Sequence, residues 1–125
     1  MTSDDVLRGA LAQVQFGWTC PAHDDMGSGA SAFQADGTPT WWGDPLAVRM
    51  CVGSAMLRAA RAPACHGPSL PPGVPEPYEE WPHMLAYADA VERVERFTGG
   101  MSYGMFNDCS SRGDVIGVLE AALRD

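Results

Sequence analysis

The sequence of 125 residues contains no lysine, a single asparagine and a single isoleucine. Without lysine, the chain excludes Schiff-base chemistry, a lysine general base and the phosphate-binding lysine of a P-loop. There is also no run of about 18 apolar residues, so the sequence predicts no transmembrane helix. Alanine, glycine, proline and arginine are common instead, which is the amino-acid usage expected of a GC-rich genome.

Basic residues are scarce, because eight arginines stand against 16 acidic residues and the formal net charge is -8. Direct binding to nucleic acid or to an anionic membrane needs a basic face, so we expect neither. The excess of negative charge is uneven: residues 1–61 carry -2 and residues 62–125 carry -6. The composition is therefore compatible with a partner protein that has a basic surface.

The hydrophobic content of 46% is that of an ordinary globular protein, and the length predicts a single small domain over 1–125. The N-terminus is acidic and lacks the basic region and long apolar core of a secretory signal, so we expect a cytoplasmic location. In that compartment the four cysteines would remain thiols.

Local signals predict about four helices and one short β-hairpin. We expect the helices over 4–16 with Ser3 as the N-cap, from the Asp44–Pro45 pair until Pro63 ends the second one, over 82–98, and after Ser111. The Asp36–Gly37 pair predicts the hairpin turn. Residues 63–82 hold seven of the ten prolines and predict a long connector. The fold class predicted is mainly α (α+β), a compact helical bundle with one hairpin.

Four loop residues suggest a zinc site. Cys20 and His23 have the spacing of a ligand pair, and Cys65 and His66 could supply further ligands. However, structural zinc sites usually show two close-spaced pairs, and adjacent Cys65 and His66 are poorly placed to ligate one ion. The alternative is that all four are loop thiols and solvated imidazoles, with no cofactor bound.

Two further residues near the C-terminus admit a chemical or a structural interpretation. Cys109 is expected just before the N-terminus of the last helix, where the helix dipole would favour a nucleophilic thiolate paired with a histidine. The alternative is an inert turn thiol. Asn107 is expected to bond backbone amides and to fix the turn that leads into this helix.

Aromatic and acidic side chains around the connector form the predicted partner-binding surface. Its members are Trp42, Glu76, Tyr78, Glu79, Glu80 and Trp81. Exposed aromatics would suit protein recognition. The alternative is that the connector covers these rings and uses them to complete the core. Acids of the third helix, Asp89, Glu92 and Glu95, could add charge, although arginines interleave them.

The order of these features resembles a domain family of unknown function found in actinobacteria and their phages. In the second predicted helix, Ala47, Val48, Cys51 and Gly53 match the pattern of that family, with Ser54 inserted before Ala55. Near the end, Asn107 and Asp108 match, while Phe106 stands in place of tryptophan, and Ser111 and Asp114 stand where threonine and glutamate are usual. The resemblance implies a compact helical domain and no reaction.

Two functions follow from these patterns. The first is a small acidic, non-catalytic interaction protein, in its sharper form a phage-encoded inhibitor or modulator of a host or defence protein. The second is a small zinc- or thiol-dependent enzyme that uses the cysteines and histidines of the loops.

Overall fold

The structure, a computed structural model, describes residues 1–20, 32–62 and 81–125. Within these ranges the chain is mainly α-helical with one small antiparallel sheet, which confirms the predicted fold class. The helices are α1 (Ser3–Phe16), α2 (Val52–Ala59), α3 (Met84–Glu95), α4 (Tyr103–Cys109) and α5 (Arg112–Arg124). The strands are β1 (Ala32–Gln34), β2 (Pro39–Thr40) and β3 (Ala47–Met50). None of these helices is long and apolar enough to span a bilayer.

Helices α1 and α5 both begin with a capping box, in which a hydroxyl and a carboxylate satisfy each other's backbone amides. In α1 the cap is Thr2, one residue earlier than predicted, and its partner is Asp5. These hydrogen bonds from Thr2 hold the pKa of Asp5 below its ordinary value. In α5 the predicted Ser111 and Asp114 form the box, so the start of the last helix is confirmed.

The sheet has the order β2–β1–β3 and is antiparallel throughout. The turn between β1 and β2 contains Gly37 at a φ of 87°, which confirms the hairpin predicted from the Asp36–Gly37 pair. As expected from Pro39, β2 is short and lies at the edge of the sheet.

The predicted helix from Asp44 is wrong over its first half, because residues Ala47–Met50 form strand β3. Asp44 does accept a hydrogen bond from the backbone N–H of Leu46 at 2.9 Å, but it closes a turn and begins no helix. This segment pairs antiparallel with β1 instead, and Arg49 lies opposite Phe33. Helix α2 starts later, at the Cys51 cap, whose Sγ accepts from the Ser54 N–H at 3.4 Å.

Helix α2 is buried over Val52–Met56 and packs on α1, α3, α4 and β3, while α1 packs on α2, α3, α5 and β3. The crossing of α1 over α2 is close: a Cβ built on Gly9 would lie 2.8 Å from Ala59 Cβ. Arg93 then joins α3 to both termini of the chain. Its guanidinium bonds Asp4 Oδ1 at 2.6 Å and the carbonyl of Ala122 at 2.6 Å.

Candidate functional site

Asn107 holds together three separate parts of the structure. Its Oδ1 accepts from Trp18 Nε1 at 2.7 Å and from the Val52 N–H at 2.9 Å, and its Nδ2 donates to the Thr19 carbonyl at 3.2 Å. The side chain is 1% exposed. The predicted turn at this position is wrong, since Asn107 lies within α4. All three described partners are long-range, so its role in the described structure is to join α4 to α2 and to the segment after α1.

The described cysteines occupy separate structural positions around this network. Cys51 caps α2, and the Cys20 thiol donates to the backbone carbonyl of Asp108 at 3.4 Å. Cys109 is exposed and is the last residue of α4. It does lie just before the last helix, as predicted, two residues ahead of the Ser111 cap of α5, and its role as a nucleophile stays a prediction.

Of the four predicted zinc ligands, one belongs to the described residues. His23, Cys65 and His66 lie outside the described residues, and only Cys20 lies within them. Within the described ranges there is no group of three or more histidine, cysteine, aspartate or glutamate side chains that could hold a metal ion. The zinc site stays a prediction.

The two described members of the predicted partner-binding surface, Trp42 and Trp81, differ in how deeply they are buried. Trp81 is only 5% exposed, donates from Nε1 to the Ala60 carbonyl at 2.9 Å and packs against Tyr87. Of the two alternatives for this ring, the structure has the buried one. Trp42 is half-buried and donates to the Ala62 carbonyl at 3.2 Å. Glu76, Tyr78, Glu79 and Glu80 lie outside the described residues.

Two of the three acids on α3 are engaged within the fold, while the third, Asp89, is exposed. Glu92 and Asp125 both pair with Arg96, at 3.3 and 2.7 Å, and Glu95 accepts from the backbone N–H of Tyr103 at 3.0 Å. The hydrogen bond that Arg96 donates to Asp125, followed by the one that it donates to Glu92, raises the pKa of Arg96. These carboxylates are therefore less available to a basic partner than the sequence suggested.

A groove of about 420 Å³ lies open beside α5. Its wall includes Phe97, which is 40% exposed, together with the half-buried side chains Phe106 and Val118. The rest of the lining is Ser110, Gly113, Asp114, Gly117 and Ala121. The groove is therefore mostly apolar, with one carboxylate at its edge.

Three of the α5 residues that line this groove are small and fall in one line along the helix. Gly113, Gly117 and Ala121 recur every four residues, which places them in one line along the helix. A Cβ built on Gly117 meets no atom within 4 Å, and Gly117 is exposed. The described fold therefore does not need glycine there. The sequence reasoning missed this site, although the spacing of four in the segment from Gly113 to Ala121 was its signal.

No family model matches the chain, and no curated protein or solved structure gives a significant match. The resemblance to the actinobacterial and phage domain family therefore stays a prediction, carried by the residues quoted for it.

Proposed function

We propose that this chain is a small acidic, non-catalytic interaction protein that binds a helix of another protein chain in the groove beside α5. The observation that carries the proposal is the line of small residues at Gly113, Gly117 and Ala121, open to solvent and bordered by Phe97 and Phe106. Small residues on one face let a second helix approach closely. Aromatic side chains at the border then supply the contact area on which interface affinity usually depends.

Gly117 is unfavourable for the described fold considered alone. In an exposed helix interior, glycine costs about 1 kcal/mol relative to alanine. Nothing within 4 Å of its built Cβ offsets that cost. Gly104 has equally open surroundings, but Gly117 differs from it in continuing the line of small residues with Gly113 and Ala121, and that line is what the close approach of another helix would use.

The partner also has a charge preference. Eleven of the sixteen acids and all eight arginines fall within the described ranges, so the described part carries a formal charge of -3. Asp114 is the charged residue in the lining of the groove, and the other exposed charges of α5, which lie outside that lining, are Arg112, Glu120 and Arg124. A basic surface on the partner beyond the groove remains a prediction from the overall charge.

Photo-cross-linking in cells of the source organism tests the proposal. Amine-reactive reagents are unsuitable because the chain has no lysine. Benzoylphenylalanine at Glu120, exposed beside the groove, is expected to capture one identified chain by mass spectrometry. The same probe at Ala12, exposed on α1, should not capture it.

Gly117→Leu fills the groove and should abolish the Glu120 adduct. Gly104→Leu is the matched control, because Gly104 is also an exposed helical glycine with no atom within 4 Å of its built Cβ. Absence of an adduct, or an equal adduct in both variants, would show that the groove binds nothing.

A further inference from the structure

The ends of the small-residue line on α5 carry opposite charges. Asp114 lies near its N-terminal end, and Arg124 comes three residues after Ala121, on the same side of the helix. Both side chains are exposed. About ten residues separate them, which is about 15 Å along the axis of an α-helix. The face is therefore acidic at one end and basic at the other, with exposed Glu120 as a further acid between Gly117 and Arg124.

We infer that the helix bound in the groove is α5 of a second copy of this chain, lying antiparallel to the first. This inference rests on the proposed function and names its partner. An antiparallel pairing in which Gly117 faces Ala121 of the second copy is centred at the level of Leu119. The same centre places Asp114 beside Arg124 of the second copy, and the two-fold symmetry repeats both contacts.

The charges select this orientation over the parallel one. In a parallel pair, each Asp114 would lie beside the other Asp114, and each Arg124 beside the other Arg124. Like charges would then repel at both ends, and the helix dipoles would be aligned unfavourably. The antiparallel pair replaces these repulsions with two attractive contacts and opposes the dipoles.

Packing supports the same arrangement. Val115, Leu119 and Ala122 of α5 are buried against its own fold, so the helix cannot turn to bury its other face. The exposed line of Gly113, Gly117 and Ala121 is small enough for two backbones to approach closely. Phe97 and Phe106 border that line and would cover the second helix from the side.

Self-association is expected to be weak. A contact made by one helix and two aromatics per copy belongs to the small interface class, and each copy carries a formal charge of -8. Sedimentation velocity from about 10 to 500 μM protein, at an ionic strength of about 0.15 M that screens long-range repulsion, covers the expected range. The wild type and Gly104→Leu should show a reversible monomer–dimer equilibrium. Gly117→Leu should sediment as a monomer throughout.

A charge exchange tests the antiparallel register. Arg124→Asp alone and Asp114→Arg alone each create two like-charge contacts, and each should weaken self-association about tenfold or more. An equimolar mixture of the two variants restores two opposite-charge contacts and should return to about the wild-type affinity. A mixture that stays as monomeric as its components would overturn the register.

Because Asp114 belongs to a capping box, circular dichroism must first show that Asp114→Arg retains its helix content. If it does not, the register is tested with the purified protein carrying benzoylphenylalanine at Glu120. Adducts should form on α5 of the second copy, near Val118. Adducts elsewhere on the copy refute the antiparallel pairing.

Failure of this inference is distinguishable from failure of the proposed function. A chain that is monomeric at every concentration, but whose Glu120 probe captures a different protein except in Gly117→Leu, refutes self-pairing and leaves the proposed function intact. A Glu120 probe that captures no chain at all refutes both.

Discussion

Replacing Asn107 by alanine should destabilise the fold more than any other single polar substitution near α4. The change removes three hydrogen bonds, and two of their partners belong to buried residues, the Val52 N–H and the Thr19 carbonyl. Leaving a buried donor or acceptor without a partner costs about 1–3 kcal/mol each. The half-buried Trp18 can exchange its bond for one to water. We therefore expect a loss of about 4 kcal/mol, a large share of the 5–15 kcal/mol typical of a domain.

Urea denaturation followed by tryptophan fluorescence and circular dichroism measures this loss. With a denaturant slope of about 2 kcal/mol/M, the midpoint should fall by about 2 M. Asp108→Asn is the neighbouring control. It keeps the carbonyl that accepts from the Cys20 thiol, so its loss should stay below about 1 kcal/mol. A loss below about 1 kcal/mol for Asn107→Ala would refute the view that this side chain joins the three segments.

Asn107→Asp separates hydrogen bonding from packing, because the two side chains have nearly the same shape. A carboxylate can accept from Trp18 and Val52 but cannot donate to the Thr19 carbonyl, and burial makes its charge unfavourable. Burial raises the folded pKa of such a carboxyl above its unfolded value of about 3.9. The variant should therefore gain stability relative to wild type as the pH falls through the folded pKa, because the protonated carboxyl can donate a hydrogen bond to the Thr19 carbonyl. A difference in unfolding free energy between Asn107→Asp and wild type that does not change with pH would contradict this account.

Three further predictions concern stability and metal content. In dilute protein, Gly117→Ala should raise the unfolding free energy by about 1 kcal/mol. Gly9→Ala should lower it, because the new Cβ would lie 2.8 Å from Ala59 Cβ. Thermal unfolding measures both changes, and a loss of stability in Gly117→Ala would contradict the open face at Gly117. The pKa of Asp44 lies below its ordinary 3.8, first because the Thr40 hydroxyl donates a hydrogen bond to it. The contribution of Asp44 to stability is therefore present above its unfolded pKa and is lost as the pH falls through the lower folded pKa. The difference in unfolding free energy between wild type and Asp44→Asn should shrink in acid, and a constant difference would refute this. Elemental analysis of purified protein should find no stoichiometric zinc, and one zinc per chain that is lost in Cys20→Ser would overturn the non-catalytic proposal.

The sequence predicted those elements whose signals are local. The start of α5 follows from Ser111 and Asp114, three residues apart, and the hairpin from the Asp36–Gly37 pair. Strand β3 was missed because Asp44 and Pro45 imitate the start of a helix. Its formation depends on pairing with β1, where Arg49 also lies over the Phe33 ring at 5.1 Å. No local pattern encodes that pairing.

The role of Asn107 also depends on contacts with residues that are distant in the sequence. Its described partners lie 55 to 89 residues away in the chain, so its neighbours in sequence suggested only a turn. The small-residue spacing in α5 was visible in the sequence. The sequence alone did not show that the opposite line of small residues would remain open. That follows from the burial of Val115, Leu119 and Ala122 in the structure.

Negative charge limits where a chain of this composition can meet a copy of itself. A contact between two faces that carry only acids would repel, and net charge of one sign generally keeps proteins apart. The α5 face differs because Arg124 offsets one of its two acids, Asp114 and Glu120, and because a line of small uncharged residues runs beside these charges. A weak, oriented self-contact at this face is compatible with the acidity of the rest of the chain. Under the proposed self-pairing, the antiparallel register is the one that places Asp114 beside Arg124 of the second copy.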